Sequence, residues 1–510
     1  MWITAIEKFD HKIDFIFSKS IISVSAILLI GFTLRVYFTP FDLPSRSNDA
    51  FFFLIHALSF PTSLDYIGGT YFVWSGLLAI IFLPFQFENY EGYFTIIRIT
   101  SILISAISSI VVFLIAKEIM DKKYAMFAMA LFVIEPNIIE NAIFGLTEPL
   151  FILLGLISVY FLFQKNSKLL PLAFVFAALA ADTRPTGLIL LPTLILGVYF
   201  RSPTKKEFFK YTVIGIALFG VVYMPMIIHD GGVFPNSSLL NITSEPESFS
   251  AEQVKFSENK FLVAGITEIT HFFRISLPYM IFFAPIGFFV SIRNFNWKIK
   301  TMVFIIIFQF IIAIPQYTVS VEFRNLFFLI PVFSLFGALS IEYFTSDKKL
   351  RNVILIFLVF GLILTSFYFL KERQPDPDLI LEEERFGKFV ATELEGTVTT
   401  ENWNFIQHNI KYSIDSIQPD NPFRELEGEI NLLVPNLIIH DESQLVDYLS
   451  KNEIDYLIVE DKKSKRFKTA QEIYFNEEKF GYLNKIFDSD EFDYKEIRTK
   501  IFEINHEKLK

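Results

Sequence analysis

Apolar positions along the chain gather into long unbroken runs separated by short polar stretches. The one-sided and alternating patterns of water-soluble helices and strands are missing from the first 370 residues. The runs predict helices at 21–38, 94–116, 124–140, 146–163, 169–181, 186–200, 210–228, 274–291, 301–320, 325–342 and 353–370. Most approach the roughly 20 residues that cross a bilayer. The two short ones, 169–181 and 186–200, meet at Ala181-Asp182-Thr183-Arg184-Pro185, where the proline disfavours helix at the residue before it. Short helices of this kind are tolerated where protein covers the backbone. One more run, 71–85, follows the turn residues Gly68-Gly69. Counting it as a span reverses the side of every later loop, so it is read as an interfacial or re-entrant helix in a large loop, 39–93, with a transmembrane span as the alternative.

Charge then orients these runs. Basic residues collect in five short loops: Lys117, Lys122 and Lys123; Lys165 and Lys168; Arg201, Lys205 and Lys206; Arg293, Lys298 and Lys300; Lys348, Lys349 and Arg351. About eleven spans with a cytoplasmic N-terminus put all five inside a cell membrane, as the positive-inside rule requires. Segments 39–93, 229–273 and 321–324, and the tail, then lie outside. The first run follows Lys8, Lys12 and Lys19 without a small-residue cleavage site, which predicts a retained span. Composition agrees: of 510 residues, 52% are hydrophobic and 62 are Phe, which excludes an ordinary soluble enzyme. The absence of cysteine excludes disulfides and thiol chemistry. A net charge of −10 argues against nucleic-acid partners.

From Lys371 the pattern changes. Lys371-Glu-Arg-Gln-Pro-Asp-Pro-Asp378 reads as a linker or capping strand. Beyond it, strands are predicted at 396–400, 454–459 and 499–505, with an apolar run at 429–439 interrupted by Pro435, and helices at 443–450 and 472–483. Alternation of this kind predicts a small α/β domain. The expected division is a membrane body, 1–370, and an extracytoplasmic α/β domain, 371–510. The tail shows neither a phosphate-cradling glycine motif nor a metal-ligand pattern, so it reads as a lid, stabiliser or partner-docking domain.

The candidate chemistry lies at the predicted outer ends. The first outer loop carries Asp42, Arg46, Asp49, His56 and Asp65. Ionisable groups beside a bilayer are costly and tend to be functional. Asp49 opens an apolar stretch, so helix capping and catalysis both account for it. Glu148, in Thr147-Glu148-Pro149, is explained by the dipole at a helix start or as a ligand-facing acid. Asp182 and Arg184 form a local opposite-charge pair that closes the helix break, or Arg184 contacts a phosphate or glycan. Glu322 and Arg324 lie between two apolar helices; Arg324 is a phosphate-binding fork or a snorkelling side chain. Arg98 and Arg274, at span starts, read as snorkelling. Asn236-Ser-Ser and Asn241-Ile-Thr are possible N-glycosylation acceptors.

These segments, in this order and on these sides, resemble the polytopic glycosyltransferases of the GT-C superfamily, especially the dolichyl-phosphate-mannose-protein mannosyltransferase-like and ArnT-like branch. The similarity covers about residues 20–345. It rests on Asp49 in Ser-Asn-Asp-Ala, on Thr147-Glu148-Pro149-Leu150, on Thr183-Arg184-Pro185-Thr186-Gly187, and on Glu322-Phe323-Arg324-Asn325-Leu326 with Pro331. Two departures stand out: Ala50 follows Asp49 where the family commonly has a second acid, and Asn325 follows Arg324 where an aromatic is usual. The resemblance implies sugar transfer at the outer face from a polyprenyl- or dolichyl-phosphate-linked donor to a glycan, lipid or protein acceptor. Asp49 would activate the acceptor, with Arg184 or Arg324 on the phosphate. No cofactor is assigned with certainty, and a carboxylate could hold a divalent Mg or Mn ion. A transporter or lipid flippase, and a noncatalytic membrane assembly protein, are the competing readings.

Overall fold

Every one of the eleven apolar runs carries helix in the computed structural model. It describes residues 20–43, 48–59, 72–85, 87, 90–230, 265–267, 270, 276, 278–293, 295–317, 323–345, 351–374, 376–400, 430–433, 439–461 and 468–509. The membrane body consists of α1 (Ser20–Phe38), α2 (Asn48–Ser59), α3 (Phe72–Phe82), α4 (Tyr90–Ala116), α5 (Lys122–Val133), α6 (Pro136–Ile143) and α7 (Glu148–Phe163). It continues through α8 (Leu170–Thr183), α9 (Leu190–Arg201), α10 (Lys205–Asp230), α11 (Pro278–Ile292), α12 (Trp297–Tyr317), α13 (Leu329–Thr345) and α14 (Arg351–Glu372).

Length separates these helices into two kinds. Among the described residues, four stretches are long and apolar enough to cross a bilayer: Ile21–Phe38, Glu91–Ala116, Lys205–Ile228 and Arg351–Val390. A bent pair raises the number to five. The expected eleven is therefore not reached on length and composition. Helix α7 has 16 residues, α8 has 14 and α9 has 12. At 1.5 Å per residue each falls short of a hydrocarbon core of roughly 30 Å. Their apolar faces are instead buried in the body, where Phe151, Phe163, Phe174 and Leu194 are fully covered. The 11 residues of α3 reach only about 17 Å. Its Trp74 and Leu78 are buried among neighbouring helices.

The bent pair corrects one predicted element. Run 124–140 is two helices, α5 and α6, at 53°. Pro136 is the cause: it lacks an N–H, takes the first turn of α6, and holds Glu135 extended at φ −65°, ψ 120°. Close helix packing follows from small residues. A Cβ on Gly287 of α11 would collide with the Phe336 backbone of α13, so these helices touch along their main chains.

The basic loops meet at one end of the bundle. Lys298 Nζ donates to Glu118 Oε2 at 2.7 Å, and Arg201 donates to the carbonyls of Leu162 (2.7 Å) and Lys165 (3.0 Å). Tyr124 and Thr345 are joined through their hydroxyls at 3.0 Å. Where α14 ends, Arg373 donates to Asn137 Oδ1 (3.0 Å) and Glu140 Oε2 (3.1 Å), fastening the start of the tail to α6.

The tail is α/β. Helix α15 (Pro377–Glu393) leads into β1 (Gly396–Thr399), β2 (Ile430–Leu433), α16 (Glu442–Lys451), β3 (Tyr456–Glu460), α17 (Ala470–Phe475), β4 (Leu483–Asp488) and β5 (Thr499–Ile504). The sheet order is β2-β1-β3-β5-β4. Its β2-β1-β3 half is parallel and its β3-β5-β4 half antiparallel. Alternation puts Leu457, Val459 and Phe502 in one apolar cluster with α16 and α17. It puts Ile458 and Ile501 in another with Phe386 and Val390 of α15. Both clusters are separate from that of the membrane body. The predicted linker falls at the break between α14 and α15, whereas the helix predicted at 472–483 stops at Phe475, is followed by a 3-10 turn (Glu477–Lys479), and gives way to β4 at Leu483.

The tail also holds a carboxylate gripped by three backbone N–H groups. Glu382 of α15 accepts from the backbone N–H groups of Lys495 (2.9 Å), Glu496 (2.8 Å) and Ile497 (3.0 Å). Burial pushes its carboxyl up, but these donors outweigh burial and leave it below the usual carboxylate range.

Candidate functional site

Three segments far apart in sequence bring two carboxylates and two guanidiniums together. Glu148 opens α7 after a turn in which Gly145 takes φ +72°, a left-handed conformation that suits glycine. Pro149 occupies the first turn, where its missing N–H costs nothing. Arg184 comes from the break between α8 and α9. It is extended at φ −151°, ψ 131°, as a residue before proline prefers, and a 3-10 turn (Pro185–Ile189) follows. Gly187 closes that turn by donating its N–H to the Arg184 carbonyl at 2.8 Å. A Cβ there would lie 2.6 Å from the Ala181 nitrogen, so Gly187 lets the turn fold back onto α8.

The extended backbone carries the Arg184 side chain away from its own helix. Its Nη1 donates to Glu148 Oε1 at 2.5 Å and to Thr147 Oγ1 at 3.4 Å. Its Nη2 donates to Asn325 Oδ1 at 3.3 Å. The expected local pair of Asp182 with Arg184 is therefore replaced by a pair with Glu148, 36 positions away. Residues two apart do not share a helix face. Asp182 is itself buried, in the last turn of α8.

Arg324 sits in a 3-10 turn (Phe323–Leu326) ahead of α13. Its Nη1 donates to Asp49 Oδ2 at 2.5 Å and lies 3.7 Å from Glu148 Oε1. The two acids thus share one guanidinium nitrogen. Asp49 is in the first turn of α2, and its Oδ2 is engaged by an ion pair. The four side chains differ in access: Glu148 is 1% and Arg184 7% exposed, against 26% for Arg324 and 44% for Asp49. The cluster has a buried half and an open half.

Three supports were not assigned from sequence. Asn325, the departure from the family aromatic, supplies a hydrogen-bond acceptor to Arg184. Its own carbonyl accepts from the amide of Gln309, fully buried in α12. Arg98 does not snorkel. It is buried and donates to the carbonyls of Pro40 (2.7 Å) and Leu43 (3.1 Å), anchoring the start of the loop that leads to Asp49. The signal for Arg98 was available, since a buried arginine must find acceptors.

His56 is half-buried in the last turn of α2, about two turns from Asp49. Burial lowers its imidazole below the usual range, which favours the neutral ring. Arg46, Glu322, Asn236 and Asn241 lie outside the described residues.

The donor set bears on a metal. Among the described residues, no group of three or more His, Cys, Asp or Glu side chains is placed to hold one. Asp49 and Glu148 meet across Arg324, so a divalent ion between them would have to take the place of the guanidinium. The set present is an ion-pair cluster.

Comparison with known proteins yields a fold. A family model described as dolichyl-phosphate-mannose-protein mannosyltransferase matches residues 91–229. That segment holds Glu148 and Arg184. No curated protein matches the chain. Among solved structures, the apo oligosaccharyltransferase of Archaeoglobus fulgidus is similar at a TM-score of 0.60 and 10% identity, covering 86% of this chain and 69% of that one. The same organism's oligosaccharyltransferase AglB, in complex with an inhibitory peptide and a dolichol-phosphate, is similar at 0.56 and 10%, covering 86% and 69%. ArnT from Cupriavidus metallidurans, bound to undecaprenyl phosphate, is similar at 0.55 and 10%, covering 96% and 99%. At such identities the shared property is the fold. The chain is a polytopic, mostly α-helical membrane protein that shares the fold of these structures.

Proposed function

We propose that the chain is a membrane glycosyltransferase that moves a sugar from a polyprenyl- or dolichyl-phosphate donor to an acceptor hydroxyl at the outer membrane face. The observation that carries this reading is the single Arg324 nitrogen shared by half-exposed Asp49 and buried Glu148, with Arg184 locked behind. A cation held on one side and open on the other suits a phosphate that arrives and leaves.

The residues divide as follows. Glu148 and Asn325 hold Arg184, and Glu148 with Arg184 forms the rigid back wall. Arg324 receives the donor phosphate and stabilises the charge that grows on it as the sugar departs. Phosphate and Asp49 compete for the same guanidinium, so donor binding frees Asp49. Asp49 then takes the acceptor proton while the acceptor oxygen bonds to the anomeric carbon. The carbon–oxygen bond to phosphate breaks and its electron pair stays on the phosphate. One direct displacement inverts the anomeric centre.

The proposed topology has eleven membrane helices, with the basic loops cytoplasmic. It has the site, the loop 39–93 and the α/β domain 371–510 outside, and the short helices covered by their neighbours. The meeting of the basic loops at one end supports it, as does the convergence of Asp49, Glu148, Arg184 and Arg324.

The test is transfer by the purified full chain from synthetic polyprenyl-phosphate sugars, screened over hexoses and pentoses. Asp49→Asn should cut turnover by about 100-fold or more, the usual scale for a lost general base, with folding retained. Equal turnover in that variant sinks the assignment of Asp49. Solute flux without sugar transfer supports a transporter instead.

A further inference from the structure

The basic loops are not equally neutralised. Lys298 of α12 is paired with Glu118. Elsewhere at that end, the loop between α7 and α8 carries Lys165 and Lys168, and α10 opens with Lys205, Lys206 and Lys210. All five lysines are exposed, and among the described residues none of them forms an ion pair. Across 164–168 and 201–210 the one acid is Glu207, itself exposed.

Packing joins the two segments. Arg201 donates to the carbonyls of Leu162 (2.7 Å) and Lys165 (3.0 Å), and the Tyr211 hydroxyl donates to Ser167 Oγ at 3.1 Å. Asn166 fixes its own turn by accepting from the Lys168 N–H at 3.0 Å. Lysines from both segments are thus carried on one braced backbone platform with no carboxylate bound between them.

Helix α10 shows what lies against this platform. Lys205–Ile228 is long and apolar enough to cross a bilayer, and only 28% of its most apolar stretch is buried inside the protein. Phe209 is 61% and Val213 63% exposed. Apolar side chains left open on a span face hydrocarbon. Lys206, Phe209, Lys210 and Val213 stand at i, i+3, i+4 and i+7, so they share one helix face. Two of the unpaired ammonium groups therefore stand on the lipid side of α10, where its apolar surface ends.

We propose that Lys165, Lys168, Lys205, Lys206 and Lys210 form a docking surface for the headgroups of anionic phospholipids. Lipids whose chains pack on Phe209 and Val213 bring their headgroups to Lys206 and Lys210, with the other three lysines flanking them. The lipid supplies the counter-charge that the protein does not. A zwitterionic headgroup carries its own cation beside the phosphate, so lipids with a net negative charge are favoured. The surface is independent of the transfer reaction and of which membrane side it occupies.

The experiment is native mass spectrometry of the purified full chain, titrated with phosphatidylglycerol or with phosphatidylcholine of the same acyl chains. Wild type should bind phosphatidylglycerol at least about tenfold more tightly, a preference that shrinks as salt is raised. Lys206→Gln should reduce it about fivefold, the scale of one lysine at a charged membrane surface. Lys168→Gln/Lys206→Gln/Lys210→Gln should reduce it about tenfold or more, while the same three changes to arginine should keep it. Lys479→Gln, in the tail, should leave it unchanged. Equal binding of the two lipids by wild type overturns the proposal, as does a preference unmoved in the single and triple glutamine variants. Displacement of phosphatidylglycerol by an equal concentration of glycerol phosphate also overturns it, by assigning the surface to a soluble phosphate.

Discussion

At one end of the helix bundle Lys298 pairs with Glu118 at 2.7 Å, with side chains 16% and 29% exposed. At the other, Arg184 pairs with Glu148 at 2.5 Å, with side chains 7% and 1% exposed. Both are lysine- or arginine-to-carboxylate contacts at helix ends. They differ in solvent access and in what else they hold. The first lies among the basic loops, and water screens it. The second is covered, is braced by Thr147 and Asn325, and shares its acid with a third charged group, Arg324. A charge pair that only marks a membrane side can be loose. One that positions another group must be held from several directions.

The strongest way to break this contrast is to remove the buried acid. Glu148→Ala leaves Arg184 buried without its counter-charge, and should destabilise the protein by about 3–5 kcal/mol. Thermal unfolding in detergent measures this. The double variant Glu148→Leu/Arg184→Met should recover much of that stability, because two apolar groups leave no orphan charge, while transfer stays abolished. If the double variant is as unstable as the single, the pair is not the source of the effect.

Arg324→Ala removes the open member. Transfer should fall by about 100-fold or more, as when a transition-state donor is deleted. Stability should shift by no more than about 1 kcal/mol, since an ion pair this exposed contributes little. A large loss of stability in this variant would place Arg324 in the buried half.

Lys298→Ala tests the screened end. The expected change is at most about 1 kcal/mol, fading as salt is raised, with transfer unchanged. A fall in transfer would mean that the two ends are coupled.

The smallest effect is expected in the tail, from a carboxylate held by neutral donors. Glu382 has its pKa depressed in the folded state. Its contribution is therefore present above the unfolded value, near 4.3, and is lost as pH falls through the folded value. Glu382→Gln should lower stability at neutral pH and converge with wild type in acid. Hydrogen exchange at Lys495, Glu496 and Ile497, followed from pH 7 downwards, checks this. An unchanged difference across that range would remove the charged form from the account.

Much of the site was legible because a membrane chain confines its polar residues to the ends of apolar runs. Asp49, Glu148, Arg184 and Arg324 each stand at such an end. Their partners were not legible. Arg184 was expected to turn to Asp182, and only the extended backbone at the proline break sends it to Glu148. Arg35 lies inside an apolar run, and nothing in its neighbours marks the serine that receives it. In the tail, the apolar run of β3 and the alternating pattern of β5 were readable. Strand β4 was missed because an irregularity between Lys485 and Phe487 breaks its alternation, leaving three exposed residues in a row.

The order of apolar runs, the grouping of basic residues in five loops and the polar residues at the ends of the runs follow from sequence alone, since each depends on local composition and the length of a bilayer. The bend before Pro136 and the choice of partners depend on how the helices pack. Arg324 meets Asp49 across 275 positions and Asn325 meets Arg184 across 141. Contacts at such separations exist only once the helices have packed. Packing alone decided which arginine is buried against Glu148 and which stays partly open beside Asp49.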